Sequence, residues 1–161
     1  MQLKALFITT ITIPLWLSTS VAAANLGQVR RLLETNQCVG CDLSNANLSG
    51  ADLSGANLLR SNLRNANLQG ANLSGANLYV ADLSQAQLQE ADLSGAFLRF
   101  TNFQHANLES ANLRQANLRY ANFTGAKLRR AAFGGADIEG VQLAQADLRE
   151  TVLDGIFEFY R

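Results

Sequence analysis

The chain has 161 residues, with 13 basic and 13 acidic side chains and a formal net charge of zero. This length suits one domain, and the charge balance gives no global reason to expect nucleic-acid binding or an acidic mimic of nucleic acid. Two cysteines and a single histidine, His105, leave a tetrahedral zinc site short of dedicated ligands, so no metal or other cofactor is expected.

Residues 1–24 have the layout of a secretory signal peptide. Lys4 supplies a positive start, Ala5 to Leu17 is mainly apolar, and Ser18 to Ala24 ends in small residues fitting an A-x-A site. Cleavage is expected after Ala24, with Ala23 as the other choice. The apolar run is short for a membrane span and contains Thr9, Thr10, Thr12 and Pro14, so no stable membrane anchor is expected after cleavage. The site has no cysteine, which argues against a lipoprotein. Losing Lys4 leaves 12 basic against 13 acidic residues, a mature net charge of −1.

Residues 25–40 read as a capping helix and linker. Leu26, Val29, Leu32 and Leu33 recur at helical spacing, with Arg30, Arg31 and Glu34 opposite. The spacing predicts a helix over Leu26–Thr35, with Asn25 as its N-cap. Two arginines make too thin a basic face for membrane binding. Cys38 and Cys41 follow as C-x-x-C. A redox pair of thioredoxin type belongs at a helix N-terminus beside a βαβ unit, whereas this pair lies between a helix and the repeats described next. A structural disulfide in an exported protein is the better reading.

From residue 41 to 155 the chain repeats every five residues. All 23 centres from Leu43 to Leu153 are Leu, Phe or Ile, and the only exceptions to Leu are Phe103, Phe123, Phe133 and Ile138. Two residues before each centre stands Ala in 18 of 23 cases, and Asp or Asn immediately precedes 17 of them. A five-residue period fits neither a helix stripe nor one face of a strand. It fits a chain that turns about 90° per pentapeptide, so that four close a square coil with every centre inward. Leu43, Leu48, Leu53 and Leu58 are then core centres on four walls. Stacked coils pair as short parallel strands about 4.8 Å apart, and the 23 repeats make fewer than six coils. Gly at the last repeat position suits corners with positive φ. Internal repetition on this scale outranks local propensity in deciding a fold.

Tandem A-(D/N)-L-x-x resembles the pentapeptide-repeat family. The resemblance implies an all-β solenoid, a right-handed quadrilateral parallel β-helix, here with an N-terminal capping helix. Asn25–Leu48 with its C-x-x-C is similar to exported cyanobacterial members, which implies the periplasm or thylakoid lumen. Some relatives protect topoisomerases as DNA mimics, and in those the C-terminal end is a dimer surface. That role wants an acidic surface and a cytoplasmic address, but residues 41–155 hold 11 acidic and 9 basic side chains behind an export signal. Open solenoid ends need caps, and residues 156–161, which leave the register at Glu158, are expected to lie over the last coil.

Spacers 20 apart stack, so each wall has its own surface chemistry. The wall of Leu53, Leu73 and Leu93 carries Ser-Gly pairs and is bland. The wall of Leu128 and Leu148 carries Lys127, Arg129, Arg130 and Arg149 among Asp147 and Glu150, a solvated ion-pair surface. The wall centred on Leu58, Leu78, Leu98, Leu118 and Ile138 differs. Its spacers include Leu59, Arg60, Tyr79, Val80, Phe97, Arg99, Phe100, Arg119 and Tyr120. Aromatic and Arg enrichment is the composition of binding hot spots, which points to an unknown protein partner or self-association. His105 is a lone outward residue without a nucleophile partner, the acids are spread by the repeat, and no enzyme is expected. The reading is therefore an exported structural or interaction module, with DNA mimicry and C-x-x-C redox chemistry as the competing readings.

Overall fold

The computed structural model describes residues 22–153, with side chains from Leu26 onward; the signal-peptide stretch up to Val21 and the expected cap at 156–161 lie outside the described residues. The first described element is helix α1 (Ala22–Thr35). It begins earlier than Leu26 because Ala22, Ala23 and Ala24 are the best helix formers, which puts Asn25 inside the helix and not at its cap. Leu32 is fully buried, and Val29 packs half-buried on the core. Leu26 and Leu33 stay exposed. Asn36 ends the helix in the left-handed region (φ 55°), and its N–H donates to the Leu32 carbonyl at 2.8 Å, which satisfies a carbonyl the helix end would leave free.

From there the chain coils. Parallel bridges join each residue before a centre to the residue 20 further on, from Gln37 with Asn57 through to Ala132 with Val152. The pairing is single-residue bridging and not the short strands expected, because a corner every five residues leaves one residue per side in ladder geometry. The hydrogen bonds run between coils: Leu43 N–H donates to Asn62 O at 2.7 Å, and Asn62 N–H donates to Cys41 O at 2.8 Å. Each corner is closed within one coil, as where Ala46 N–H donates to Leu43 O at 3.1 Å across a turn whose third residue, Asn45, has φ 58°. That is the sign pattern of a type II turn.

The repeat consensus follows from this geometry. Where the residue before a centre is Asp or Asn it forms an Asx turn: Asp82 Oδ1 accepts from Ser84 N–H at 2.9 Å, and Asn122 Oδ1 from Thr124 N–H at 2.9 Å. At several Asn positions the amide also reaches one coil back, as from Asn62 to Asp42 at 2.9 Å and from Asn112 to Asp92 at 2.9 Å. The small residue two before the centre is inward, and Ala fits there without a void. Ser61 and Thr101 also fit, because their hydroxyls donate to Leu58 O and Leu78 O.

The centres form the core. Leu43, Leu48, Leu53 and Leu58 are buried, as are Phe103, Phe123 and Phe133, with Phe103 and Phe123 stacked at 4.6 Å. Ile138 is a correction to that set: it packs against the core but is only half-buried. It lies in the last described coil, where no described coil covers its upper side.

The register also starts one pentapeptide earlier than residue 41. Cys38 occupies an inward centre, Gly40 (φ 63°) its corner, and Gly40 N–H donates to Leu59 O at 2.8 Å. At this first coil Asp42 N–H has no preceding coil to pair with, and Gln28 Oε1 of α1 accepts it at 2.7 Å. One helix side chain thus satisfies a donor that every later coil satisfies with backbone.

Candidate functional site: an aromatic and arginine wall

Every fifth residue from Gly40 to Glu150 has positive φ, and fourteen of these 23 corners are not glycine. Most are Asn, Gln, Ser or charged residues. The corner column of one wall is different: Arg60, Val80, Phe100 and Tyr120, with φ of 55–59°. A left-handed conformation costs a non-glycine residue roughly 1–3 kcal/mol, and β-branched or bulky residues are genuine outliers there. Glycine at each of these corners would relieve that cost, as it does at Gly55, Gly75 and Gly95 on the neighbouring wall.

They stand beside the other expected residues. Tyr79 meets Phe100 edge-on at 5.9 Å, and Phe100 stacks on Tyr120 at 5.3 Å with 13° between planes. The Arg99 guanidinium lies 4.8 Å from the Phe100 centroid and 5.7 Å from that of Tyr120, within cation–π range. Phe97 is 57% exposed. It interrupts the Asn column of this wall, replacing an Asx side chain with a ring. Leu59, Tyr79 and Arg119 are half-buried and the remaining members exposed. Leu59, Asn77, Tyr79 and Phe97 line an open depression of about 440 Å³.

The structure adds a residue that sequence reasoning passed over. Because Cys38 is a centre, Val39 falls in the column of Leu59, Tyr79 and Arg99, and it is 48% exposed. Stepping back five from Leu43 would have found it. Of eight exposed large hydrophobic residues among those described, five share this wall: Val39, Val80, Phe97, Phe100 and Tyr120.

Charge divides the wall. Its upper end is neutralised: Arg119 pairs with Glu139 and with Asp137 (3.5 Å), and the Tyr120 hydroxyl donates to Glu139 at 3.0 Å. The Tyr120 hydroxyl, ahead of Glu139 and Asp137, holds the Arg119 guanidinium above its ordinary pKa. Arg60 and Arg99, lower down, have no ion-pair partner among the described residues.

The other candidates resolve differently. In the basic cluster, Glu150 accepts from Arg129 and Arg130 at 2.8 Å each, and Asp147 from Arg149 at 2.6 Å. The Arg149 contact lowers the Asp147 pKa to about 2. Only Lys127 lies outside these pairs. His105 is exposed with its ring over Gly125, where a Cβ would fall 2.5 Å from Nδ1. Cys38 and Cys41 form a disulfide and are 0% and 5% exposed. Among the described residues no group of three or more His, Cys, Asp or Glu is placed to hold a metal ion. No described helix is long and apolar enough to cross a membrane.

Comparison with known proteins bears on the whole coil. The family model for pentapeptide repeats matches residues 41–78, 81–119 and 116–155, in eight copies. Among solved structures the chain is similar to a pentapeptide repeat protein (Rfr23) of the cyanobacterium Cyanothece 51142. The two are 34% identical over 80% of this chain and 99% of the other, with a TM-score of 0.62. It is also similar to a pentapeptide repeat protein of the Arabidopsis thaliana thylakoid lumen, at 36% identity over 71% of this chain and 70% of the other, with a TM-score of 0.46. No curated protein matches it.

Proposed function

The chain belongs to the pentapeptide repeat family, and we propose that this member is an exported, non-enzymatic interaction module whose partner docks on the aromatic and arginine wall. Members of the family form right-handed quadrilateral β-helices and serve in general as structural or interaction modules. The observation that carries the reading is the corner column. Val80, Phe100 and Tyr120 occupy a left-handed backbone that glycine would adopt without strain, and they leave apolar surface exposed. Strain and exposed apolar area are both unfavourable to an isolated fold, and a binding surface accounts for both. Export is supported by the n-region, apolar run and A-x-A end of residues 1–24, which would place the protein in a periplasm or thylakoid lumen. The buried sulfurs favour a structural role for the disulfide over thiol exchange, which needs access.

The test is the triple variant Tyr79→Ser, Phe100→Ser, Tyr120→Ser, compared with wild type in affinity capture from the native exported compartment and in sedimentation. A partner or a dimer held by wild type is lost, while circular dichroism stays that of the solenoid. Retention of the same complex by the folded variant refutes the wall as the binding surface.

A further inference from the structure

We propose that the lower half of the wall is a docking site for an extended acidic peptide, with an apolar side chain seated between two carboxylates. This rests on the wall being the binding surface and names the chemistry of its partner. Three observations converge.

The first is the unbalanced charge. Arg119 is already neutralised by Asp137 and Glu139, and on another wall Arg129, Arg130 and Arg149 are paired with Glu150 and Asp147. Arg60 and Arg99 keep free guanidinium groups among the described residues, and no acidic residue lies on this wall below Asp137.

The second is how Arg99 is held. Its contacts with Phe100 and Tyr120 are made through the ring faces. A contact with a ring face uses none of the guanidinium's five N–H donors. Those donors stay available for a bidentate carboxylate, and the ring contacts restrain the long side chain before the ligand arrives.

The third is the spacing. Arg60 stands in the coil of Leu59 and Arg99 in the coil of Phe97, and the depression lined by Leu59, Tyr79 and Phe97 spans the same three coils. Two coil rises separate the arginines by about 10 Å along the axis. Residues four apart on an extended chain lie about 13 Å apart and point to the same side as the residue midway between them, and flexible arginine side chains take up the difference. An acidic residue two places before and another two places after an aromatic or aliphatic one therefore bring the apolar side chain to the depression and the carboxylates to the two cations.

The test uses the full chain and a fluorescein-labelled decapeptide with a central Asp-Ser-Phe-Ser-Glu, read by fluorescence anisotropy against the same peptide with Lys-Ser-Phe-Ser-Lys. The acidic peptide binds, and raising salt from 50 to 500 mM weakens it, because exposed charges are screened over about 4 Å at the higher value. The variant pair Arg60→Gln and Arg99→Gln, which keeps the apolar surface, weakens binding at least tenfold. Equal binding of the two peptides, or a Gln variant that binds like wild type, overturns the proposal. If the Gln variant retains a native partner that the triple Ser variant loses, the wall remains the binding surface and only the acidic partner chemistry fails. A dimer that Phe97→Ser dissolves and the acidic peptide does not displace identifies a second copy as the occupant and also overturns the proposal.

Discussion

Two glycine corners with nearly equal backbones differ in what lies above them, and this isolates the energy of the aromatic column. Gly55 has φ 63° with nothing within 4 Å of a built Cβ, whereas Gly140 has φ 69° and a Cβ there would run into the Tyr120 ring. Gly55→Ala therefore measures left-handed strain alone, about 1–2 kcal/mol. Gly140→Ala carries the same strain and must also lift Tyr120 off the wall. The displaced ring loses its stack on Phe100, worth about 0.5–1.5 kcal/mol, its contact with Arg119, and its hydrogen bond to Glu139. A hydrogen bond to a charged group contributes about 1.5–3 kcal/mol where buried. Here it is exposed, and less than half of that is expected. The sum places Gly140→Ala about 1–2.5 kcal/mol below Gly55→Ala. Urea unfolding followed by circular dichroism resolves that difference in midpoint, and tyrosine fluorescence reports the displaced ring. Equal midpoints for the two variants would refute the view that the column is a packed, energetically coupled unit.

Two further outcomes follow from the same geometry. Replacing Cys38 and Cys41 together with Ser opens a four-residue loop, worth about 2 kcal/mol by chain entropy, and loosens the rung that carries Val39. Native-state hydrogen exchange should rise at Gly40 and Leu43 and stay unchanged at Leu113, and uniform protection would contradict a local staple. Asp147, lowered to about 2 by Arg149, contributes stability that is present above its unfolded value of 3.8 and lost as pH falls through its folded value. Arg149→Ala should move the Asp147 titration back towards 3.8, measured by carboxyl NMR.

The five-residue period made the core legible before any coordinates. Leu43 to Phe133 are inward because no regular element other than a cornered coil can bury every fifth residue. The Asp or Asn before each centre was legible as outward. Its reason, an Asx turn joined to a ladder across coils, required the hydrogen bonds. Cys38 was harder to read: it is not Leu, Phe or Ile, so the repeat looked as if it began at residue 41, and Val39 was lost with it. Gln28 was invisible, because a helix side chain satisfying a coil's first donor has no local pattern.

By itself, the sequence determined the coil, its inward centres and the columns in which spacers 20 apart must stack, since these depend only on period. Only the tertiary structure decided what those columns do. Bulky side chains take the left-handed corners at Val80, Phe100 and Tyr120, and carboxylates close on Arg119, Arg129 and Arg130 but leave Arg60 and Arg99 without an ion pair among the described residues. The physical reason is that charge pairing and ring stacking act between neighbouring coils over a few ångströms. Which partner a side chain finds depends on its rotamer and on the coil above it, and a pentapeptide carries no information on either.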